Sequence, residues 1–235
     1  MLKIIATAGL ASLLLLTGCD FENVEAGPLQ SSTRIIERDK TEMVRADLRM
    51  GAGELTVRGG AEKMLEAEFH YNVPEWRPEV RYSATGFRGL LNIEQPRSGK
   101  VNHNMKYDWN LRFNDDTPLD VVVHMGAGQA NLDLGSLTLR SVDVNMGVGE
   151  LKMDLRGTPK RDYDVNVQGG VGEATIQLPR GVGVMADAHG GIGGVNARGL
   201  QKRGSHYVND LYDNAKVRVH LNVKGGIGSI NLLAN

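Results

Sequence analysis

Six times the chain writes a run of alternating apolar and polar residues, a Gly-x-Gly, and a second alternating run. The copies are Gly51-Ala52-Gly53, Gly126-Ala127-Gly128, Gly147-Val148-Gly149, Gly170-Val171-Gly172, Gly191-Ile192-Gly193 and Gly226-Ile227-Gly228. Each motif starts one residue earlier, at a Met or a Gly; from Met125 through Met146 and Gly169 to Gly190 these starts fall 21, 23 and 21 residues apart. A fixed period of this size marks stacked repeats, each too small to bury its own apolar face.

The parity of the apolar residues shows how one repeat is built. In the third copy Val142, Val144 and Met146 precede the glycines, whereas Leu151, Met153 and Leu155 follow them. Side chains of a strand alternate between its faces, so a regular strand would turn one of these sets away from the core. A corner restores the facing, and glycine tolerates the positive φ and close backbone approach that a corner needs. The return to the next copy runs through Gly135-Ser136, Gly157-Thr158-Pro159 and Pro179-Arg180-Gly181, all turn chemistry. The expected fold is an all-β solenoid of stacked coils of about 22 residues, each with two strands and two bends.

The local chemistry of the motif points away from cofactors. A dinucleotide site needs a helix directly after its glycines, but Leu55-Thr56-Val57 and its counterparts continue as strand. A calcium β-roll needs Asp two places on, where this chain has Ala174, Val195 and Ile230. His124, Asn145, Gln168 and His189 occupy one outward place in successive copies. Stacking in chain order puts the two histidines three coils, about 14 Å, apart, too far to share a zinc whose nitrogens lie within about 2.1 Å. They read as solvated polar residues, with no metal and no cofactor. Glu150 and Glu173 should be neighbours on another outward row with Lys152 beside them, which reads as a salt-bridged surface. An acid pair of this kind is also what a polysaccharide-acting solenoid enzyme would need, but no positioned nucleophile or base stands out.

Residues 1–18 carry Lys3, the apolar run Ile4 to Leu16, and a close at Leu16-Thr17-Gly18-Cys19. The run is too short to span a membrane and fits a secretory signal. The closing tetrad resembles the lipobox of bacterial lipoproteins, which implies that Cys19 is lipidated on sulfur and becomes the mature N-terminus. Cys19 is also the only cysteine, so no disulfide forms within a monomer. Residues 19–33 then read as a lipidated tether holding the protein to a membrane outside the cytoplasm. Asp20 resembles an enterobacterial signal for retention on the periplasmic face of the inner membrane. A net charge of -1 leaves no basic footprint for nucleic acid.

The stretch Arg49 to Val57, with Glu66-Ala67-Glu68-Phe69 and Tyr71-Asn72-Val73-Pro74-Glu75-Trp76-Arg77-Pro78, resembles the N-terminal part of the bacterial toast-rack family. The later coils and His206-Tyr207-Val208-Asn209-Asp210-Leu211-Tyr212 resemble its C-terminal repeats. The resemblance implies a β-solenoid on secreted or membrane-tethered proteins, similar to the repeat domain of envelope-stress regulators, and no enzymatic activity. Residues 34–118 are expected to form an N-terminal β domain with the first coil and an inserted β-meander, and 119–235 the repeat stack. Two interruptions, a polar hairpin-like stretch from Ser98 to Asp116 and the surplus from Gln201 to Ala215, offer Tyr107, Trp109, Tyr207, Asn209, Asp210 and Tyr212 as binding residues. The function expected is a lipid-anchored, non-catalytic binding or scaffold role, adhesion-like, with an envelope protein or a glycan as partner. The alternatives are an envelope-stress signalling subunit acting with a membrane partner, and the polysaccharide-acting enzyme.

Overall fold

The computed structural model describes residues 26–96 and 104–234. Cys19, Asp20 and the signal segment therefore lie outside the described residues. In chain order the strands are β1 (Gln30–Ile36), β2 (Met43–Arg58), β3 (Leu65–Tyr71), β4 (Glu79–Thr85), β5 (Arg88–Glu94), β6 (Tyr107–Phe113), β7 (Leu119–Asp133), β8 (Leu139–Asp154), β9 (Tyr163–Gln177), β10 (Gly183–Arg198), β11 (Gln201–Arg203), β12 (His206–Val208) and β13 (Arg218–Leu233). The one helical element among the described residues is a 3-10 turn at Pro74–Trp76.

The six long strands β2, β7, β8, β9, β10 and β13 each carry one Gly-x-Gly and lie parallel to their neighbours, matched glycine to glycine. Each bends at the motif into two arms. Val142, Val144 and Met146 on the first arm of β8, Leu151 and Met153 on its second, and Leu155 just beyond it all belong to one buried core, which runs from Val44 to Leu232. The second glycine of every motif has φ between +128° and +145°, a region that side chains disfavour. Packing adds a second demand: a Cβ on Gly149 would sit 1.8 Å from the Gly128 carbonyl oxygen. A strand can therefore close to rung spacing at this corner only where it carries glycine against its neighbour's carbonyl, as Gly53 also does against Tyr107 O at the β2 end. This is the all-β, solenoid-like fold that the parity of the repeats predicts.

The order of the coils departs from the order of the chain. Along the stack it is β2, β7, β8, β9, β13, β10, so the last coil enters between the two before it. Leu178 N–H donates to Leu233 O at 2.8 Å, and Ala234 N–H to Arg198 O at 2.9 Å, so β13 bridges strands that do not touch each other. The surplus Gln201 to Ala215 supplies the length for this detour. It folds as the β11–β12 hairpin, which pairs with Met185 and Ala186 on the outer edge of β10, and then leads back by one rung. His124 and His189 are consequently four rungs apart, about 19 Å, rather than three.

The first coil is closed off by the insertion. The first arm of β2 pairs with β5 and through it β4, while the second arm pairs with β6, then β3, then β1. The expectation of a polar hairpin around Tyr107 to Phe113 is corrected here. Tyr107, Trp109, Leu111 and Phe113 alternate strictly with polar residues, and β6 buries all four against β2 and β3. Strand β1 also begins at Gln30, so the last four residues of the expected tether are sheet, bonded to β3. At the first corner Gln95 replaces a missing rung, its Oε1 accepting from Gly51 N–H at 2.7 Å and Ala52 N–H at 3.3 Å.

Candidate functional site

The first-arm residue just before each motif points outward, and the register brings Arg49, His124, Asn145, Gln168, Lys224 and His189 into one row across the stack. Beside it runs the row of first glycines, which carry no side chain. Over the first four rungs the two rows form an open groove of about 650 Å³, lined by Arg49, His124, Asn145 and Gln168, with Glu94 and Gln95 at its head. At rung spacing its polar groups recur every ~4.8 Å.

This row differs from most of its neighbours in hydrogen bonding. Several other outward rows pair their polar groups across the rungs, although among the described residues the row Arg58, Asp133, Asp154 and Gln177 at the end of the second arms forms no such side-chain bond. Asn131 donates to Glu54, Gln129 to Glu150 at 3.2 Å, Asn231 to Glu173 at 2.7 Å, Ser141 to Asp120 and Asn166 to Asp143. Among the described residues, no side-chain hydrogen bond is formed by His124, Asn145 or Gln168. Arg49 is held in a fork by Asp47, with Nε to Oδ1 at 2.8 Å, which fixes its direction and leaves guanidinium donors free. The groove thus presents aligned, unspent donors and acceptors, the chemistry that takes up a hydroxyl-rich or amide-rich ligand.

The residues named from the two interruptions do not form one site. Tyr107 and Trp109 lie at the β2 end of the stack with 3% and 1% of their surface exposed. Their rings pack with Phe69 and Trp76 at centroid distances of 5.6 to 5.8 Å. They close the core and are not offered to a partner. Burial pushes the Tyr107 phenol well above its ordinary range, and the Trp76 Nε1, Trp109 Nε1 and Tyr107 hydroxyl are buried without a partner.

Tyr207, Asn209, Asp210 and Tyr212 do come together, at the β10 end. Asn209 is buried and structural: its Oδ1 accepts from Val184 N–H at 2.9 Å and its Nδ2 donates to Val182 O at 2.7 Å, tying the detour to the start of β10. Asp210 accepts from Gln201. The half-buried Tyr212 lies against His220 and under the Arg218 guanidinium, and Lys202 lies over the Tyr207 ring. Glu150 and Glu173 are register partners, as their spacing predicts. Lys152 neutralises Glu150 at 2.7 Å on an open face. In the sequence the groove row shows only as a solvent-facing row; its unspent hydrogen bonds appear only beside the satisfied rows.

Residues 25–177 match the family profile described as the N-terminal domain of toast_rack. Residues 127–232 match a profile described as cell wall-active antibiotics response LiaF, C-terminal. Among solved structures, a candidate cell adhesion protein from Clostridium sporogenes is 35% identical, with a TM-score of 0.85, over 87% of this chain and 99% of that chain. Candidate adhesins from Bacteroides fragilis and Parabacteroides merdae align over 88% of this chain and 97% of theirs at 11% and 13% identity. Their TM-scores are 0.27 and 0.28, too low to bear on the argument. No curated protein matches.

Proposed function

The chain belongs to the toast-rack family, and from that membership we propose that it is a lipid-anchored binding protein that holds an extended glycan of the cell envelope in its corner groove. The protein is non-enzymatic and envelope-associated. The observation that carries the finer reading is the row of unbonded polar side chains over glycines, repeating at the rung spacing. A polymer lying along the stack would meet equivalent donors at each step, so modest hydrogen bonds of about 1 kcal/mol each would add along its length. An adhesion-like role agrees with the description of the Clostridium sporogenes structure. No helix among the described residues is long and apolar enough to cross a membrane; attachment is assigned to Cys19, on the periplasmic face by Asp20.

The match of residues 127–232 to the LiaF-type profile favours a second reading, a subunit that reports envelope damage to a membrane partner. The two readings separate on one preparation. Purified protein is sedimented with insoluble cell-wall glycan, and the double variant Asn145→Ala, Gln168→Ala is expected to bind about tenfold more weakly with an unchanged melting temperature. Equal binding by the variant, or none by the wild type, would reject the glycan reading and leave the signalling one. In cells, Cys19→Ser should move the protein out of the membrane fraction; retention there would reject the lipid anchor.

A further inference from the structure

The two ends of the stack are finished differently. At the β2 end every arm has a neighbour, and even the corner amides are taken by Gln95. At the β10 end the β11–β12 hairpin and the Asn209 that follows it cover only Val184, Met185 and Ala186. From Asp187 to Arg198 the outer edge of β10 has no paired strand among the described residues.

The hydrogen-bond phase of that edge follows from one contact. Ala234 N–H donates to Arg198 O, and Arg198 is the register partner of Leu233, so Arg198 bonds inward to β13. In a parallel ladder alternate residues bond to opposite sides. Asn196 and Gly194 therefore also bond inward, whereas the N–H and C=O of Val195 and Ala197 point out from the molecule. Natural edges are blunted with proline, lysine or inward charge. The arm Gly194-Val195-Asn196-Ala197-Arg198 has no such residue before its last position.

This arrangement is its own complement. We infer that the second arm of β10 is a self-association edge, where two copies of this chain pair antiparallel about a two-fold axis at Asn196. Val195 of one copy then faces Ala197 of the other and the reverse, and both are outward-bonding, so four backbone hydrogen bonds form. The side chains agree with the register. Val195 and Ala197, both half-buried, extend the core face, a larger side chain opposite a smaller one. Gly194 leaves room for the opposing Arg198, and no like charges meet. Asn196 faces Asn196, continuing the asparagine ladder in which Asn196 Nδ2 reaches Asn231 Oδ1 at 3.4 Å. The occupant is a second copy because this one register matches its side chains to themselves: Val195 against Ala197, Gly194 against Arg198 and Asn196 against Asn196, with no like charges opposed. Head-to-tail stacking is closed off, since the far end of any second copy is already capped.

The register gives a covalent test. Opposed residues of a non-bonded antiparallel pair have Cα atoms about 4.5 Å apart, within the reach of a disulfide. In a Cys19→Ser chain, Asn196→Cys should crosslink to dimers on mild oxidation, while Arg198→Cys, which faces Gly194, should not. By sedimentation equilibrium the Cys19→Ser chain should be a dimer, and adding Ala197→Pro should raise its dissociation constant at least tenfold. That proline removes an N–H that nothing inside the fold uses, so the circular dichroism should be retained. If Ala197→Pro fails to fold, Asn196→Asp serves instead, placing two carboxylates face to face on the axis. A monomer at every concentration, crosslinking that is equal at 196 and 198, or a dimer that survives the substitutions would overturn the inference.

Discussion

The first three coils of the stack, β2, β7 and β8, place a methionine at the inner side of the corner, whereas β9, β13 and β10 place a glycine there. Met50, Met125 and Met146 are buried, and the Met125 Cε lies 2.8 Å from the point where a Cβ on Gly128 would stand. At Gly169 and Gly190 the corresponding space is open or nearly so, and an apolar crevice lined by Met146, Leu151, Val167, Ala174, Val223 and Ile230 runs beneath the corners. The outside of the corner changes as well. The central residue is alanine in the first two coils, then Val148, Val171, Ile227 and Ile192, which are 53%, 46%, 52% and 73% exposed. The first two coils keep their apolar volume inside, β8 has both the buried Met146 and the exposed Val148, and the last three coils display theirs. That half of the stack is also the one with an inserted coil and an open edge, so it has less packing to hold it together and more surface to offer.

The largest test of this contrast removes β13 by ending the chain at Val217. Val219, Leu221, Val223, Ile230 and Leu232 are all buried there, and burying each is worth about 1.5–3 kcal/mol, together comparable to a domain's whole stability of about 5–15 kcal/mol. Strands β9 and β10 lose their common partner, so hydrogen exchange should show β10 unprotected while β2 and β7 keep their protection. A protected β10 would mean that it docks directly on β9 and that the coil order is not obligatory.

A smaller effect separates corner glycines by role. Gly172→Val puts a branched side chain at φ +144° with its Cβ 1.7 Å from the Gly149 carbonyl oxygen, and should cost at least about 2 kcal/mol in a urea titration. Gly169→Ala, three residues away, meets nothing within 4 Å and has no positive φ. It should be neutral or raise stability by up to about 1 kcal/mol through the unfolded chain. If both substitutions cost alike, the space under the second-half corners is not real.

Acid should distinguish the halves only slightly. Arg156 hydrogen-bonds Asp154 at the end of β8 and holds its carboxyl below the ordinary carboxylate value; the register partner on β9 is the uncharged Gln177. A lowered folded value means that this stabilisation is present above the ordinary carboxylate range and is lost as pH falls through the lowered value. The pair is partly exposed, so Asp154→Asn should cost under about 1 kcal/mol at neutral pH and nothing once the pH is below that value. An equal loss at both pH values would assign the effect to packing instead of charge.

Period and parity were enough to read the coils, because both follow from the two-residue repeat of a strand and the backbone freedom of glycine. Strand β6 was legible by the same rule, since Tyr107, Trp109, Leu111 and Phe113 alternate without a break. Its interleaved Asp108, Asn110 and Arg112 nevertheless resemble a polar loop when no neighbouring strand is known. The candidate site was half legible. The row His124, Asn145, Gln168 could be aligned from the repeat, but whether a polar side chain is spent depends on which side chain stands one rung away.

The sequence by itself determined the all-β class, the six corners and which residues of each coil face inward, since these depend on contacts within about twenty residues of chain. Only the tertiary structure decided the order of the coils, the burial of Trp109 and the open edge of β10. Parallel rungs are joined by backbone hydrogen bonds that do not read side-chain identity, and every Gly-x-Gly coil fits against every other. The placement of β13 between β9 and β10 therefore rests on the length of the detour and the packing of the whole stack.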